Sequence, residues 1–201
     1  MATESVKGNL MLGVAVAVRR LRDRGRIDPE ELQARLSGPA LEIIDQKIEI
    51  ARWYPIATFC ELLELDWEVA GHRDPMYLER QGAISADRLF DSRMYQQLDF
   101  AERSGRVETR QGLARQAKLI TTITGSLYNF LQFDVTVNPR SLDIVYGNAR
   151  AFVDALIPTT VGFMNQINQR QGSKRRWTGK RLNPDEVRFS MALPERLAAE
   201  G

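Results

Sequence analysis

The sequence predicts an α+β domain: a helical part of about five to six helices over residues 8–130, then a four-stranded antiparallel sheet in β-β-α-β-β order over residues 131–193. Three observations carry that expectation. Apolar residues recur at helical spacing as far as Phe130, they alternate at every second position from Leu131, and the alternating segments fall into two pairs, each joined by a short turn.

The helical part opens with the apolar run Asn9–Val18, followed at once by Arg19, Arg20 and Arg22. Asp28-Pro29-Glu30-Glu31 then supplies a capping carboxylate, a proline at the first helical position and acids in the first turn, so a short helix starts there and stops at Ser37-Gly38-Pro39. Leu41, Ile44 and Ile48 predict another helix from Ala40 to Arg52, interrupted by Trp53-Tyr54-Pro55. From Pro55 the stripe Ile56, Phe59, Cys60, Leu63, Trp67, Ala70 defines a core helix with Glu61, Glu64 and Glu68 on its wet back. Gly71 ends it, Asp74-Pro75 opens the next element, and Ser85 is expected to cap a further helix carrying Leu89, Phe90, Met94 and Leu98, closed by Ser104-Gly105. A long helix follows from about Val107 to Phe130.

Leu131, Phe133, Val135 and Val137 then alternate with polar residues; Asn138-Pro139-Arg140-Ser141 turns the chain, and Leu142, Ile144 and Tyr146 return as the partner strand. Residues 149–169 read as one helix that Pro158 should bend, because proline removes a backbone donor and clashes with the preceding turn. Lys174–Leu182 reads as a basic strand around Trp177. Val187, Phe189, Met191 and Leu193 form the last one. Only the first seven residues and the tail after Pro194 read as untethered.

Composition bounds the rest. The 201 residues, 43% hydrophobic and 27% charged, suit a single domain, 1–201, large enough to hold itself together with one core. One cysteine permits no internal disulfide, which fits a reducing cytosol. A formal charge of +2 means that any grip on nucleic acid or anionic lipid must come from a local patch. The apolar runs fall far short of the ~20 residues a spanning helix needs, and the arginines after Val18 are in the wrong order for export. A cytoplasmic protein is expected.

Val6-Lys7-Gly8 before a helix, Arg52-Trp53-Tyr54-Pro55 opening the next, and the strand–strand–helix–strand–strand C-terminus together resemble a paralogous myxobacterial domain family of unknown function. That family is similar to a group comprising the haem-nitric-oxide/oxygen-binding domain, the vinyl-reductase-type ligand domain and the TRAPP vesicle-tethering subunits. The resemblance implies a small-molecule sensor or a protein–protein scaffold. Haem-binding members of the group supply a helix histidine and a Tyr-x-Ser-x-Arg stretch, and this chain has neither pattern. Its one histidine, His72, lies between Gly71 and Pro75 in an expected loop, and Cys60 lies on the apolar stripe, so no cofactor is expected.

Among candidate chemistries, Glu61, Glu64, Glu68 and His72 could line a helical edge for a metal, but a solvated acidic face is the plainer reading and no metal is expected. No nucleophile elbow, phosphate-binding loop or dinucleotide fingerprint occurs, which points away from an enzyme; no catalytic residue is assigned. The densest charge is Arg170, Lys174, Arg175, Arg176, Lys180 and Arg181, six cations in twelve residues. With Trp177 they form a candidate partner-binding surface for phosphate or an acidic protein, against the plainer reading of edge-strand protection. Arg19, Arg20, Arg22, Arg24 and Arg26 form a second cluster, read as cations at a helix end. Trp53, Tyr54, Phe59, Trp67, Phe133 and Phe152 are candidates for an apolar pocket, or simply core. The expected function is a non-catalytic interaction, oligomerisation or signalling adaptor module that forms a homodimer or docks a protein partner. The alternatives are a haem-free sensor of an apolar small molecule and a nucleic-acid binder using residues 170–181, the latter ranked last.

Overall fold

A computed structural model describes residues 3–91 and 109–194. It is α+β, and its described residues belong to two compact units: unit 1 comprises residues 1–78 and 126–130, and unit 2 residues 79–125 and 131–201.

Unit 1 begins with a short strand, β1 (Ser5–Lys7), paired antiparallel to β2 (Trp53–Pro55), with Val6 opposite Tyr54. The first residues are therefore tied down rather than untethered: Val6 is fully buried, and the Ser5 amide donates to Asn129 Oδ1 at 2.7 Å. Helix α1 (Gly8–Asp23) buries Met11, Ala15, Val18 and Leu21, and α2 (Pro29–Arg35) starts on the expected proline. Ser37-Gly38-Pro39 opens α3 (Gly38–Asp45) as well as closing α2, since the Ser37 hydroxyl accepts from the Ala40 amide. The helix expected to run to Arg52 stops at Asp45. The arginine cluster supplies part of the reason, because the Arg19 guanidinium donates to the Ile44 carbonyl and Arg22 pairs with Asp45 at 2.9 Å, satisfying the end of α3. Arg26 does the same at the end of α4 (Ile56–Val69), donating to the Val69 carbonyl at 3.1 Å.

The expected break before Ser85 is absent. One helix, α5 (Pro75–Asp91), runs through it, and the Ser85 hydroxyl donates back to the Gln81 carbonyl instead of capping. Met94, Leu98 and the Ser104-Gly105 stop lie outside the described residues. Helix α6 (Arg110–Leu127) precedes the sheet. In unit 2, β3 (Gln132–Val137) and β4 (Ser141–Gly147) form the expected hairpin. A single 3₁₀ turn at Ala149–Ala151 then precedes α7 (Leu156–Arg170). The expected helix over 149–169 is thus interrupted, and Pro158 does not bend it: it sits in the first turn of α7, where the missing N–H would have had no helical partner anyway. Strands β5 (Trp177–Asn183) and β6 (Glu186–Ala192) complete the sheet, whose spatial order is β3-β4-β6-β5.

Helices α5 and α7 cross at a distance only glycine permits. A Cβ on Gly82 would lie 1.8 Å from the Thr159 carbonyl oxygen, and one on Gly162 would lie 1.9 Å from that of Glu79. Around this contact Arg170 pairs with Asp87 at 2.8 Å and Asp91 at 3.1 Å, and Gln166 donates to Asp87 at 2.9 Å. Mid-helix Gly→Ala normally gains about 1 kcal/mol. Here the sign should reverse: Gly82→Ala is expected to destabilise by about 1–3 kcal/mol, as overpacking does. Denaturant melts of the two proteins decide it, and a variant as stable as the parent would show that the crossing is looser than this.

Candidate functional site

Unit 2 contains a buried amide cluster where α6, α7 and β5 meet. Gln116, on α6, and Asn168, on α7, are almost wholly buried. Gln116 Nε2 donates to Asn168 Oδ1 at 2.5 Å and to Gln171 Oε1 at 2.8 Å. Asn168 Oδ1 also accepts from the Trp177 indole at 3.1 Å, while its amide nitrogen donates to the Arg175 carbonyl at 2.9 Å. One turn earlier, Asn165 Oδ1 accepts the backbone N–H of Trp177 at 2.7 Å. The cluster therefore fixes the first residue of β5 by both its main chain and its side chain. It also leaves polar capacity unspent: Gln116 Oε1 and Asn165 Nδ2 are buried with no hydrogen-bond partner among the described residues. Flipping Gln116 does not cure this, because its oxygen would then face two acceptors. Chemically, the cluster can accept one further hydrogen bond and donate others to small polar groups.

The basic segment is dispersed rather than gathered. Trp177 is buried, on the inward face of β5, and so does not stand with exposed cations. Arg170 is engaged by Asp87 and Asp91 and lies over the Phe90 ring at 5.3 Å. Arg181 pairs with Asp154 at 2.6 Å and donates to the Phe152 carbonyl. Arg176 approaches Glu79 at 3.8 Å yet stays exposed, as do Lys174 and Lys180, and Arg175 is half-buried. Acids on α5 and after β4 thus take up arginines that the sequence presents as one run.

The apolar candidates divide between the units. Trp53, Tyr54, Phe59 and Trp67 belong to unit 1; Phe133 and Phe152 belong to unit 2. In unit 1, Trp53 is largely exposed beneath the Lys7 ammonium, 4.1 Å from the ring, and the Trp67 indole donates to the Asp74 carbonyl at 3.0 Å. Tyr54 is buried with its hydroxyl accepting from the Glu49 amide at 3.0 Å, and Phe59 is buried on α4. In unit 2, Phe133 and Phe152 pack edge-on against Tyr146, at 5.0 and 5.7 Å between ring centres. Phe189 lies 4.7 Å from the same ring. Burial pushes the Tyr146 phenol well above its ordinary range, and its hydroxyl shares a hydrogen bond with Thr124 at 3.2 Å.

The acidic edge of α4 is partly used up. Glu61 accepts from the Ser37 amide at 2.9 Å, Glu68 pairs with Arg35 at 2.9 Å and with Arg73, and Glu64 is exposed. His72 lies in the expected loop, exposed, at a left-handed φ of 50°. Among the described residues no group of three or more histidine, cysteine or carboxylate side chains could hold a metal ion.

Two carboxylates escaped sequence reasoning. Asp66 is buried on α4, where desolvation raises it above its ordinary value against the Tyr77 hydroxyl that donates to it at 2.8 Å. On the outer face of the sheet, Asp143 accepts from Ser190 at 2.5 Å, Asn138 at 2.7 Å and Ser141 at 2.8 Å. Burial alone would raise it, but these three donors and the nearby Arg188 outweigh burial and hold it below its ordinary value.

Comparison with solved structures gives the fold its relatives. The chain is similar to the ferrous, unliganded H-NOX protein of K. algicida, at 16% identity over 94% of this chain and 97% of that one, with a TM-score of 0.58. A single-site variant of that protein matches at 17% identity, 95% and 98% coverage, and the same TM-score. A variant of the T. tengcongensis H-NOX matches at 11% identity, 92% and 96% coverage, and a TM-score of 0.53. No family model matches the chain, and no curated protein matches it. The fold therefore resembles that of the haem-nitric-oxide/oxygen-binding group along nearly the whole chain.

Among the described residues, the histidine and cysteine side chains do not fit the haem that this resemblance implies. The sole histidine is exposed on a left-handed loop, the sole cysteine is buried on α4, and residues 109–194 contain neither type.

Two outcomes follow from these geometries. Asn168→Leu strands the Trp177 indole and the Arg175 carbonyl and leaves the Gln116 amide with Gln171 alone, so a loss of about 2 kcal/mol or more is expected in urea melts; a loss below about 1 kcal/mol, at ~1–3 kcal/mol per stranded group, contradicts the network. For Asp143, a lowered native pKa means that stability is present above the ordinary value of 3.8 and is lost as pH falls through the lowered one. Melts stepped through that window should show the loss, and Asp143→Asn should abolish its pH dependence.

Proposed function

We propose that this chain is a non-catalytic signalling module of H-NOX-like fold that works through protein contacts, including contacts between its own copies, and that it does so without haem. The carrying observation is a likeness of fold along nearly the whole chain coupled to the placement of its sole histidine and sole cysteine: His72 is exposed on a loop and Cys60 is buried on α4. Support also comes from the interior of unit 2, where Tyr146 is packed among Phe133, Phe152 and Phe189. Two of the cations expected to bind phosphate, Arg170 and Arg181, are engaged by Asp87, Asp91 and Asp154, which favours protein contacts over nucleic acid. Among the described residues no helix is long and apolar enough to cross a membrane.

A second reading, small-molecule sensing, draws on the amide cluster. Its unspent acceptor on Gln116 and donor on Asn165 suit a small polar ligand better than the apolar one expected from the aromatic residues.

Native mass spectrometry of the untreated protein, paired with an absorption spectrum after incubation with haemin, tests both. Assembly into oligomers with no retained small molecule and no shifted Soret band is expected. Stoichiometric haem with an axially ligated spectrum overturns the first reading, and a retained polar metabolite lost in Gln116→Leu transfers the case to the second.

A further inference from the structure

The two edges of the sheet are built differently. Strand β5, at one edge, carries Lys180 and Arg181 and an irregularity between Arg181 and Asn183, devices that keep an edge from pairing with other chains. Strand β3, at the other, has no lysine, arginine, proline or bulge between Gln132 and Val137, and its one charge is Asp134.

Backbone direction along β3 follows from the hairpin. The Asn138 amide donates to the Ser141 carbonyl at 2.8 Å, which makes Asn138 and Ser141 a hydrogen-bonded pair. The register with β4 then directs the main-chain groups of residues 132, 134 and 136 toward β4 and those of Phe133, Val135 and Val137 toward the open edge. These same three side chains face inward, opposite Tyr146, Ile144 and Leu142, which are fully buried. Val135 is nonetheless 38% exposed, so the apolar face continues to the edge without being covered.

We propose that β3 pairs antiparallel with β3 of a second copy of this chain about a two-fold axis at Val135, joining the two four-stranded sheets into one. The sequence of the strand selects that register. Centred on Val135, each pair formed by residues 133, 135 and 137 exchanges its outward main-chain bonds. Phe133 meets Val137 on the inner face, and Asp134 meets Thr136 on the outer face. A shift of one step either way sets Asp134 against Asp134 of the other copy, or brings Pro139, which has no N–H to give, opposite Phe133. A self-complementary edge of this kind fits an isologous dimer.

The inference rests on reading the chain as an interaction module, and its test is separate from that reading's test. Sedimentation equilibrium of the full chain should give twice 22.9 kDa. Val135→Pro deletes an N–H that points away from β4, and Val135→Lys places a charge on the two-fold axis; each is expected to weaken dimerisation about tenfold or more, without loss of the far-ultraviolet circular dichroism spectrum. Thr136→Lys faces Asp134 of the other copy and should preserve or tighten the dimer. A parent that stays monomeric at high concentration, or a dimer indifferent to both Val135 variants, overturns the proposal; pairing only with another protein's strand counts as the first of these. Any of these outcomes leaves the haem-free reading standing, since that reading falls only on a haem-loaded spectrum.

Discussion

The rest of unit 2 hangs on the glycine-lined crossing of α5 and α7. Because Gly82 and Gly162 have no Cβ, the helices approach until carbonyls of Thr159 and Glu79 occupy the space where side chains would stand. At that separation Asp87 and Asp91 are within reach of Arg170, and Asp87 within reach of Gln166. The C-terminal half of α7 is fixed in consequence, which sets Asn165 and Asn168 against the start of β5. The pairing of Arg170 and the placement of the amide cluster thus share one steric allowance.

That chain of dependence explains what could be read from the sequence. The change of period at Leu131 and the Asn138–Ser141 turn were legible because a strand with one buried face writes its geometry into every second residue. The proline-started helices at Asp28-Pro29 and Asp74-Pro75 were legible for a similar local reason. The β1–β2 ribbon was not. Three residues cannot show a period, and the pairing of Val6 with Tyr54 is fixed by tertiary contact. Ser85 and Pro158 misled because each carries a local preference compatible with two places in a helix, and only packing chooses between them.

The candidate site was less legible than the fold. Gln116, Asn165 and Asn168 sit in helices as ordinary polar residues, and nothing in their spacing distinguishes a buried amide from a solvated one. Charge density misled in the opposite direction. Six cations in twelve residues look like a surface for an external anion, yet the anions that Arg170 and Arg181 meet are Asp87, Asp91 and Asp154, separated from them by up to 83 positions in sequence. Linear clustering measures the local charge of the unfolded chain; it does not say which charges are neutralised once the helices cross.

The order of the strands within the sheet is not written in their alternation. Spatial order β3-β4-β6-β5 places β4 and β6 in the middle, and their inward side chains are the most deeply buried: Leu142, Ile144 and Tyr146 on one and Val187, Phe189 and Met191 on the other are all fully buried. Edge strands tolerate exceptions, such as the exposed Val135 of β3 or the cationic Arg181 of β5. A central strand tolerates few, because each inward side chain has neighbours on both sides and an outward polar group must find partners across the sheet. Asp143 meets the second requirement by taking hydroxyl donors from Ser141 on its own strand and Ser190 on β6. Burial of the inward side chains therefore grades from centre to edge, whereas alternation in the sequence does not: β3 alternates without exception and lies at an edge, while β4 lies in the centre with Val145 on its outer face.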